Sequence, residues 1–343
     1  MPSPTAPRVA LVKWGPADGN ADAIGAELRS LGHPVIYFEY DQPVPQPADI
    51  VLTFAPHNRW WPIARQVGAR VPRPRLIHWN FEGVPDPRLT RPVIAWLGWA
   101  RSWLGEVRHG PSPGGRWLAA LPPLAWVTRR LHKFRYVGDS LRALRRGWLS
   151  VQADVSERHA AFYQRLGVPA RFVPWGTPPT WHADLKLERD IDVLWMGKRR
   201  DGRRSATIDM VRAALQLRGV EMYVADGVER PFIFGDERTR VLNRTKLVLN
   251  IKTSAQISGF TFRFHTVAGN RALVVSEPFE SHVSRYRAGE HYAVAPPEQL
   301  AEKILYLLAH EEERRALAEN AYRLVTTEMT LRESVRKLLA EGE

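Results

Sequence analysis

The chain contains no cysteine, which excludes disulfides, a thiolate nucleophile and cysteine-ligated zinc. It also lacks any apolar run near the ~20 residues needed to cross a bilayer, so no transmembrane helix is expected. The opening MPSPTAPRVALVKW has neither the charged start nor the long apolar stretch of a secretory signal, which predicts a cytoplasmic protein. Acidic side chains are in short supply: 36 Asp and Glu face 49 Lys and Arg, a formal charge of +13. That imbalance favours a phosphate-bearing partner, whether a phosphorylated small molecule, an anionic membrane surface or nucleic acid. No nucleic-acid recognition module is present, so nucleic acid is not expected as a partner. Internal repeats and low-complexity tracts are missing too.

What remains is a chain of 343 residues, 44% hydrophobic and 25% charged, with room for about two globular domains. Its 13 tryptophans are unusual, because indoles favour boundaries that are apolar on one side and wet on the other. The first part alternates strands and helices. RVALVKW, PVIYFEY, ADIVLTF and the segment Leu76 to Trp79 read as buried strands, with helices over Asp22–Leu31 and around Trp61–Val67. From about Ile94 to Gly147 the pattern breaks into Pro, Gly, Trp and Arg with only Glu106 and Asp139 acidic, an insertion on the first domain. Alternation resumes with a strand over Leu149–Ala153, a helix capped by Ser156 and a strand over Ala170–Val173. An aperiodic, proline-containing stretch near Pro178–Asp190 marks the junction. Then follow IDVLWMG, a helix ending at Gly219, VEMYVADG, a helix around Arg238–Lys246, LVLNIK, the short helix FTFRFHTVAGN, RALVVSE and an almost continuously helical end. This order predicts an α/β protein with two parallel-sheet domains: residues 1–180 with the insertion at about 94–147, residues 181–325, and a closing helix over 326–343 packing back towards the first domain.

Three segments resemble one family. VSERHAAFYQRLGVPARFVPWGT, IDVLWMGKRRDGRR and FRFHTVAGNRALVVSEPFE, continued by YRAGEHYAV and the closing helices, are similar to the group-1, CgeB-like branch of the GT-B nucleotide-sugar glycosyltransferases. The resemblance implies two facing Rossmann-like domains with the donor bound in the cleft. It also implies a metal-independent transfer of a hexose from a UDP- or GDP-linked sugar, used as co-substrate without any other cofactor. The acceptor expected is a glycan or lipid of the cell envelope. One departure stands out. The branch usually carries two glutamates eight positions apart, whereas Ile257 and His265 stand in those places, with Ala268 and Gly269 following.

The residues themselves point the same way. A diphosphate needs positive charge and backbone donors at the C-terminal end of a strand. Gly197, Lys198, Arg199, Arg200, Arg203 and Arg204 supply both, ahead of a helix start, and crowd enough charge together to call for a counter-anion. The bland alternative is a solvated basic loop. Phe262, Arg263 and His265 open a helix near the same sheet edge, and Asn250, Lys252 and Glu277 end neighbouring strands. In the first domain the loop Gly15 to Asn20 and the residues His57, Asn58 and Arg59 follow strands, as acceptor or cleft candidates. His78 and Glu82 are the catalytic candidates, Glu82 as general base if the reaction inverts the anomeric centre, although a histidine after a strand is more often structural. No convincing D-x-D loop suggests a metal. Arginines and tryptophans interleaved over residues 99–148 suit an anionic membrane surface or, more plainly, a tryptophan core covered by arginine stems. Two further readings of the chain stay open: a GT-B-like protein that binds a glycan or anionic surface without transfer, and a sugar-nucleotide epimerase.

Overall fold

The computed structural model of the chain describes residues 6–15, 18–54, 60–86, 88–109, 114, 117, 121–199, 202–252, 261–278 and 283–340. The candidates His57, Asn58 and Arg59, together with Arg200 and Ile257, lie outside the described residues. The chain divides into two compact units, residues 1–174 with 335–343, and residues 175–334.

In the first unit short apolar runs become strands, and those inside the sheet are covered on both faces, so they read as continuous rather than alternating apolar stretches. They are β1 (Val9–Lys13), β2 (Val35–Glu39), β3 (Ile50–Phe54), β4 (Arg75–Asn80), β5 (Val151–Asp154) and β6 (Ala170–Phe172). All neighbours pair in parallel in the order β2-β1-β3-β4-β5-β6. The register sets Val9 of β1 between Val35 and Ile50. Helix α1 (Gly19–Ser30) follows β1, and α2 (Trp60–Gly68) buries Trp60, Trp61 and Ile63.

The predicted insertion is a helical block built from α3 (Arg91–His109), α4 (Pro122–Arg130) and α5 (His132–Arg145). The pair α3 and α5 cross at two glycines, where a Cβ on Gly138 would fall 1.9 Å from the carbonyl oxygen of Gly98. Only bare backbones approach so closely. The chain returns through β5 to α6 (Glu157–Arg165), capped by Ser156, whose Oγ accepts from His159 N at 3.2 Å.

The second unit repeats the plan with β7 (Ile191–Met196), β8 (Met222–Ala225), β9 (Thr245–Asn250), β10 (Leu273–Ser276) and β11 (Ala293–Val294). The order β11-β10-β9-β7-β8 is again wholly parallel. Helices α7 (Arg203–Gln216), α8 (Gly235–Arg244), α9 (Thr261–Ala268), α10 (Leu300–Ala309) and α11 (Glu311–Arg323) connect or cover these strands. Trp195, Ile208, Leu247, Leu273 and Ile304 meet in its core. The chain runs from β7 to β8 on one side, then places β9 on the other. The crevice between the ends of β7 and β9 is therefore the topological switch point, where open α/β sheets bind ligands. A π-helical turn, Leu324–Glu328, precedes α12 (Leu331–Leu339). The chain past α12 belongs to the first unit, where Arg75 and Arg171 donate to the carbonyl of Ala340 at 3.2 and 3.0 Å.

Candidate functional site

The switch point of the second unit gathers most of the cationic candidates. β7 ends at Met196, and Gly197 follows with φ +118, a conformation that favours glycine. A Cβ there would come 3.1 Å from Nη2 of Arg263. Arg263, in the first turn of α9, spans the crevice: Nη1 donates to Oδ1 of Asn250 at 2.7 Å and Nη2 to the carbonyl of Met196 at 3.1 Å. Its guanidinium lies over the indole of Trp195, 4.9 Å from the ring centroid, and Arg204 lies over the same indole at 5.6 Å. Burial, and then the like charge of Arg204, lowers the Arg263 pKa to about 10, so it keeps its charge at neutral pH. Among the described residues its hydrogen-bond partners are neutral acceptors.

Glu277, just past β10, ties three chain segments together. Its carboxylate accepts from Lys252 N at 2.6 Å and from both terminal nitrogens of Arg203, the first residue of α7. Burial pushes the carboxyl up, but the hydrogen bond and charge of Arg203 and the amide of Lys252 outweigh it, leaving the pKa below its ordinary value. Lys252 turns its ammonium to the carbonyl of Pro278 at 2.6 Å.

This corrects the expectation that the arginine-dense turn needs an outside anion to relieve its repulsion. Arg199 is ion-paired to Asp209 and to Glu229 at 3.3 Å, with Asp226 at 4.0 Å, and Arg203 is held by Glu277. The protein neutralises those two itself. Lys198 is exposed, and Arg204 Nη1 reaches back to the Lys198 carbonyl at 3.4 Å. These two residues and Arg263 stand around Gly197, beside the start of α7, whose dipole favours anions.

His265 sits one turn inside the same helix but faces the core, fully buried. Its Nδ1 pairs with Thr177 Oγ1 at 2.7 Å and its Nε2 with the Tyr286 hydroxyl. Both ring nitrogens are taken, and burial lowers its pKa to about 3. The donor contact expected of it is replaced by a structural role. Phe262 packs against Trp175 and Trp181 at 5.0 and 5.9 Å between centroids.

In the first unit His78 is likewise a core residue, 3% exposed, stacked on Trp60 at 4.6 Å and paired through Nδ1 with Thr53 Oγ1 at 2.9 Å. Burial lowers its pKa to about 3, which is wrong for a proton-accepting catalyst near neutrality. Glu82 is half-buried, with its carboxyl raised by burial and opposed by a hydrogen bond with Tyr136. At Asn20, the start of α1 is already occupied by a carboxylate. Asp18, which sequence reasoning passed over, accepts from the amides of Asn20 and Ala21 at 3.2 and 3.1 Å and so fills the start of α1 with its own carboxylate. A second overlooked carboxylate is Asp154, fully buried at the end of β5, which accepts from Asn80 Nδ2 at 2.7 Å and Ser156 N at 2.9 Å. The signal for Asp18 is an acid directly before a helix start, whereas Asp154 stands two residues ahead of the N-cap Ser156. Among the described residues no group of three His, Asp or Glu side chains is placed to hold a metal ion.

Comparison with known proteins bears on the fold. Residues 203–340 match a family model described as glycosyl transferase-like, a span that includes α7, Arg263 and Glu277. No curated protein matches the chain in sequence. Among solved structures, the glycosyltransferase from Rickettsia africae ESF-5 superposes with a TM-score of 0.60 at 11% identity over 97% of both chains. WaaG, a glycosyltransferase involved in lipopolysaccharide biosynthesis, does so at 0.57 and 15% identity over 97% of this chain and 100% of its own. Anabaena Alr3699/HepE, solved with UDP-glucose, gives 0.55 at 10% identity over 97% of this chain and 98% of its own. The resemblance to group-1 GT-B enzymes drawn from the sequence is borne out. In fold the chain is a GT-B protein, and its residues 203–340 are similar to the glycosyl transferase-like model.

Proposed function

We propose that the chain is a glycosyltransferase that moves a hexose from a UDP- or GDP-linked sugar to a glycan or lipid acceptor of the cell envelope, acting in the cytoplasm without a metal. The observation that carries this reading is Arg263, a charged, partly buried guanidinium at the switch point whose described partners are neutral, with Arg204 and Lys198 beside it. That arrangement suits a diphosphate: guanidinium forks, the amides opening α7 and the close approach at Gly197 supply the positive field that a metal supplies elsewhere. In the transfer, the acceptor oxygen bonds to the anomeric carbon while the bond to the β-phosphate oxygen breaks. Its electron pair leaves with the nucleoside diphosphate. Lys198, Arg204 and Arg263 stabilise that growing charge, and Arg203, fixed by Glu277, frames the site. The acceptor proton passes to the departing phosphate if configuration is retained, or to Glu82 if it is inverted; the raised pKa of Glu82 suits a proton carrier.

A second reading is favoured by one observation: Glu277 and His265 are both engaged within the protein, leaving neither to hold a ribose or sugar hydroxyl. On that reading the scaffold binds an anionic sugar conjugate without transfer. Incubation with UDP-, GDP- and TDP-sugars, read by thermal shift and by release of nucleoside diphosphate, separates the two. Stabilisation with turnover supports the transferase, and stabilisation with no release under any acceptor supports the binding protein. No shift with any nucleotide removes the anion site itself.

A further inference from the structure

The helical block of the first unit is built inside out. Along α3 from Pro92 to Trp103 every exposed residue is apolar: Pro92, Val93, Trp96, Trp99 and Trp103. The three tryptophans, spaced i, i+3 and i+7 on one face, are 65%, 49% and 47% exposed. The opposite face, turned to α5, holds the polar groups. Arg101, Ser102, Arg135, Asp139 and Arg142 are all buried there. Asp139 accepts from Ser102 and lies 3.5 Å from Arg135; Arg142 donates to Ser102 at 2.7 Å and to Glu106 at 2.6 Å. A helix pair in water normally buries its tryptophans and exposes its arginines. This one reverses the pattern and closes on a Gly98–Gly138 contact, a small-residue crossing used where no hydrophobic drive holds helices together.

The block that carries this apolar face is strongly basic. Residues 91–148 contain eleven Lys and Arg against two acids, in a chain whose total is +13. Both acids, Glu106 and Asp139, are ion-paired to arginines, so neither offers a free negative charge to a partner. Trp126 of α4 is 55% exposed with Arg130 stacked on it at 5.1 Å, and Arg129 beside it is exposed. None of the described helices is long and apolar enough to cross a membrane.

We propose that the outer face of α3 docks in the plane of an anionic phospholipid bilayer, its indoles at the headgroup boundary, with the exposed Arg129 and Arg130 of the same basic block adding attraction to the lipid phosphates. A spanning helix is not needed for this, since an interfacial helix gains from buried apolar area plus attraction to anionic lipid. A second copy of the chain is the poorer occupant, because it brings its own basic block against this one. The inference is independent of the donor site.

The test is co-sedimentation of the full chain with phosphatidylcholine vesicles, with and without about 30% phosphatidylglycerol, at low salt and at about 0.5 M salt. Binding is expected only with the anionic vesicles and only at low salt. The variant W96S/W99S/W103S lowers the partition coefficient at least about tenfold, since it strips the indoles from the docking face. Should that variant fail to fold, quenching of wild-type tryptophan fluorescence by brominated lipid reads the same contact. Equal sedimentation with neutral and anionic vesicles overturns the proposal, as does undiminished binding of a folded variant or absence of bromolipid quenching. A dimer in sedimentation equilibrium that the tryptophan variant dissolves also overturns it, by assigning the face to self-association.

Discussion

Replacing Glu277 by Gln probes how the donor-side cations are held. The carboxylate is an acceptor only, and it serves Arg203 and the Lys252 amide at once. A glutamine can keep one of those bonds, but its amide nitrogen then faces a donor. Its side chain is 2% exposed against 44% for Arg203, so this pair lies between the buried and the surface cases. Discounted for that exposure, the loss is about 1–2 kcal/mol rather than the 3–5 of a fully buried broken pair. With a urea slope near 2 kcal/mol/M this lowers the unfolding midpoint by about 0.5–1 M. The folded pKa of Glu277 lies below its ordinary 4.5. Its contribution is thus complete above that value and disappears as pH falls through the folded pKa. Urea unfolding of the full chain, followed by tryptophan fluorescence, should show the gap between wild type and E277Q near neutrality, closing as pH falls below the ordinary 4.5 and through the lowered folded pKa. No gap near neutrality, or one that widens as the solution is acidified, refutes this account of the carboxylate.

Gly138→Ala should lower the melting temperature markedly, because its Cβ meets the Gly98 carbonyl at 1.9 Å and the helices must part, an overpacking cost of about 1–3 kcal/mol or more. Gly19→Ala is the control, having nothing within 4 Å of the added carbon, and should be neutral or slightly stabilising in the same calorimetric scan. The buried rings of His78 and His265, with pKa values lowered to about 3, should remain neutral in nitrogen NMR spectra at pH about 5. Since the unfolded rings take up protons below 6.5, each histidine withdraws stability progressively as pH falls from there towards its folded value. A ring found charged at pH about 5 contradicts the packing described for it.

Much of the sheet framework was legible because buried parallel strands leave short β-branched runs bounded by Gly and Pro. RVALVKW, ADIVLTF and IDVLWMG each contain the strand they predicted, and LVLNIK overlaps one that starts two residues earlier, at Thr245. Helix starts were less visible. The helix expected over 206–219 begins at Arg203 because Gly202, at φ +89, supplies the turn that opens it. The insertion was unreadable by period, since Arg101, Arg135 and Arg142 face inward while Trp96, Trp99, Trp103 and Trp126 face outward, the reverse of the pattern that hydrophobic spacing detects. At the site, residue type and strand-end position identified the right neighbourhood but not the partners. His265 is satisfied by Thr177, 88 residues away, and Tyr286, 21 residues away, and nothing local announces either. Arg199 is drawn off by Asp209 and Glu229 in the same manner, whereas Asn250, Lys252, Arg263 and Glu277 do converge with Arg203 in one unit.

The central claim is that a nucleoside diphosphate docks on the cations around Gly197. Isothermal titration of UDP and GDP into the wild-type chain and into R203A/R204A measures it directly. The account predicts binding to the wild type and a loss of at least about tenfold in the double variant, since a hydrogen bond from a charged donor is worth about 1.5–3 kcal/mol. Equal affinity in the two proteins, with both folded by circular dichroism, would contradict it.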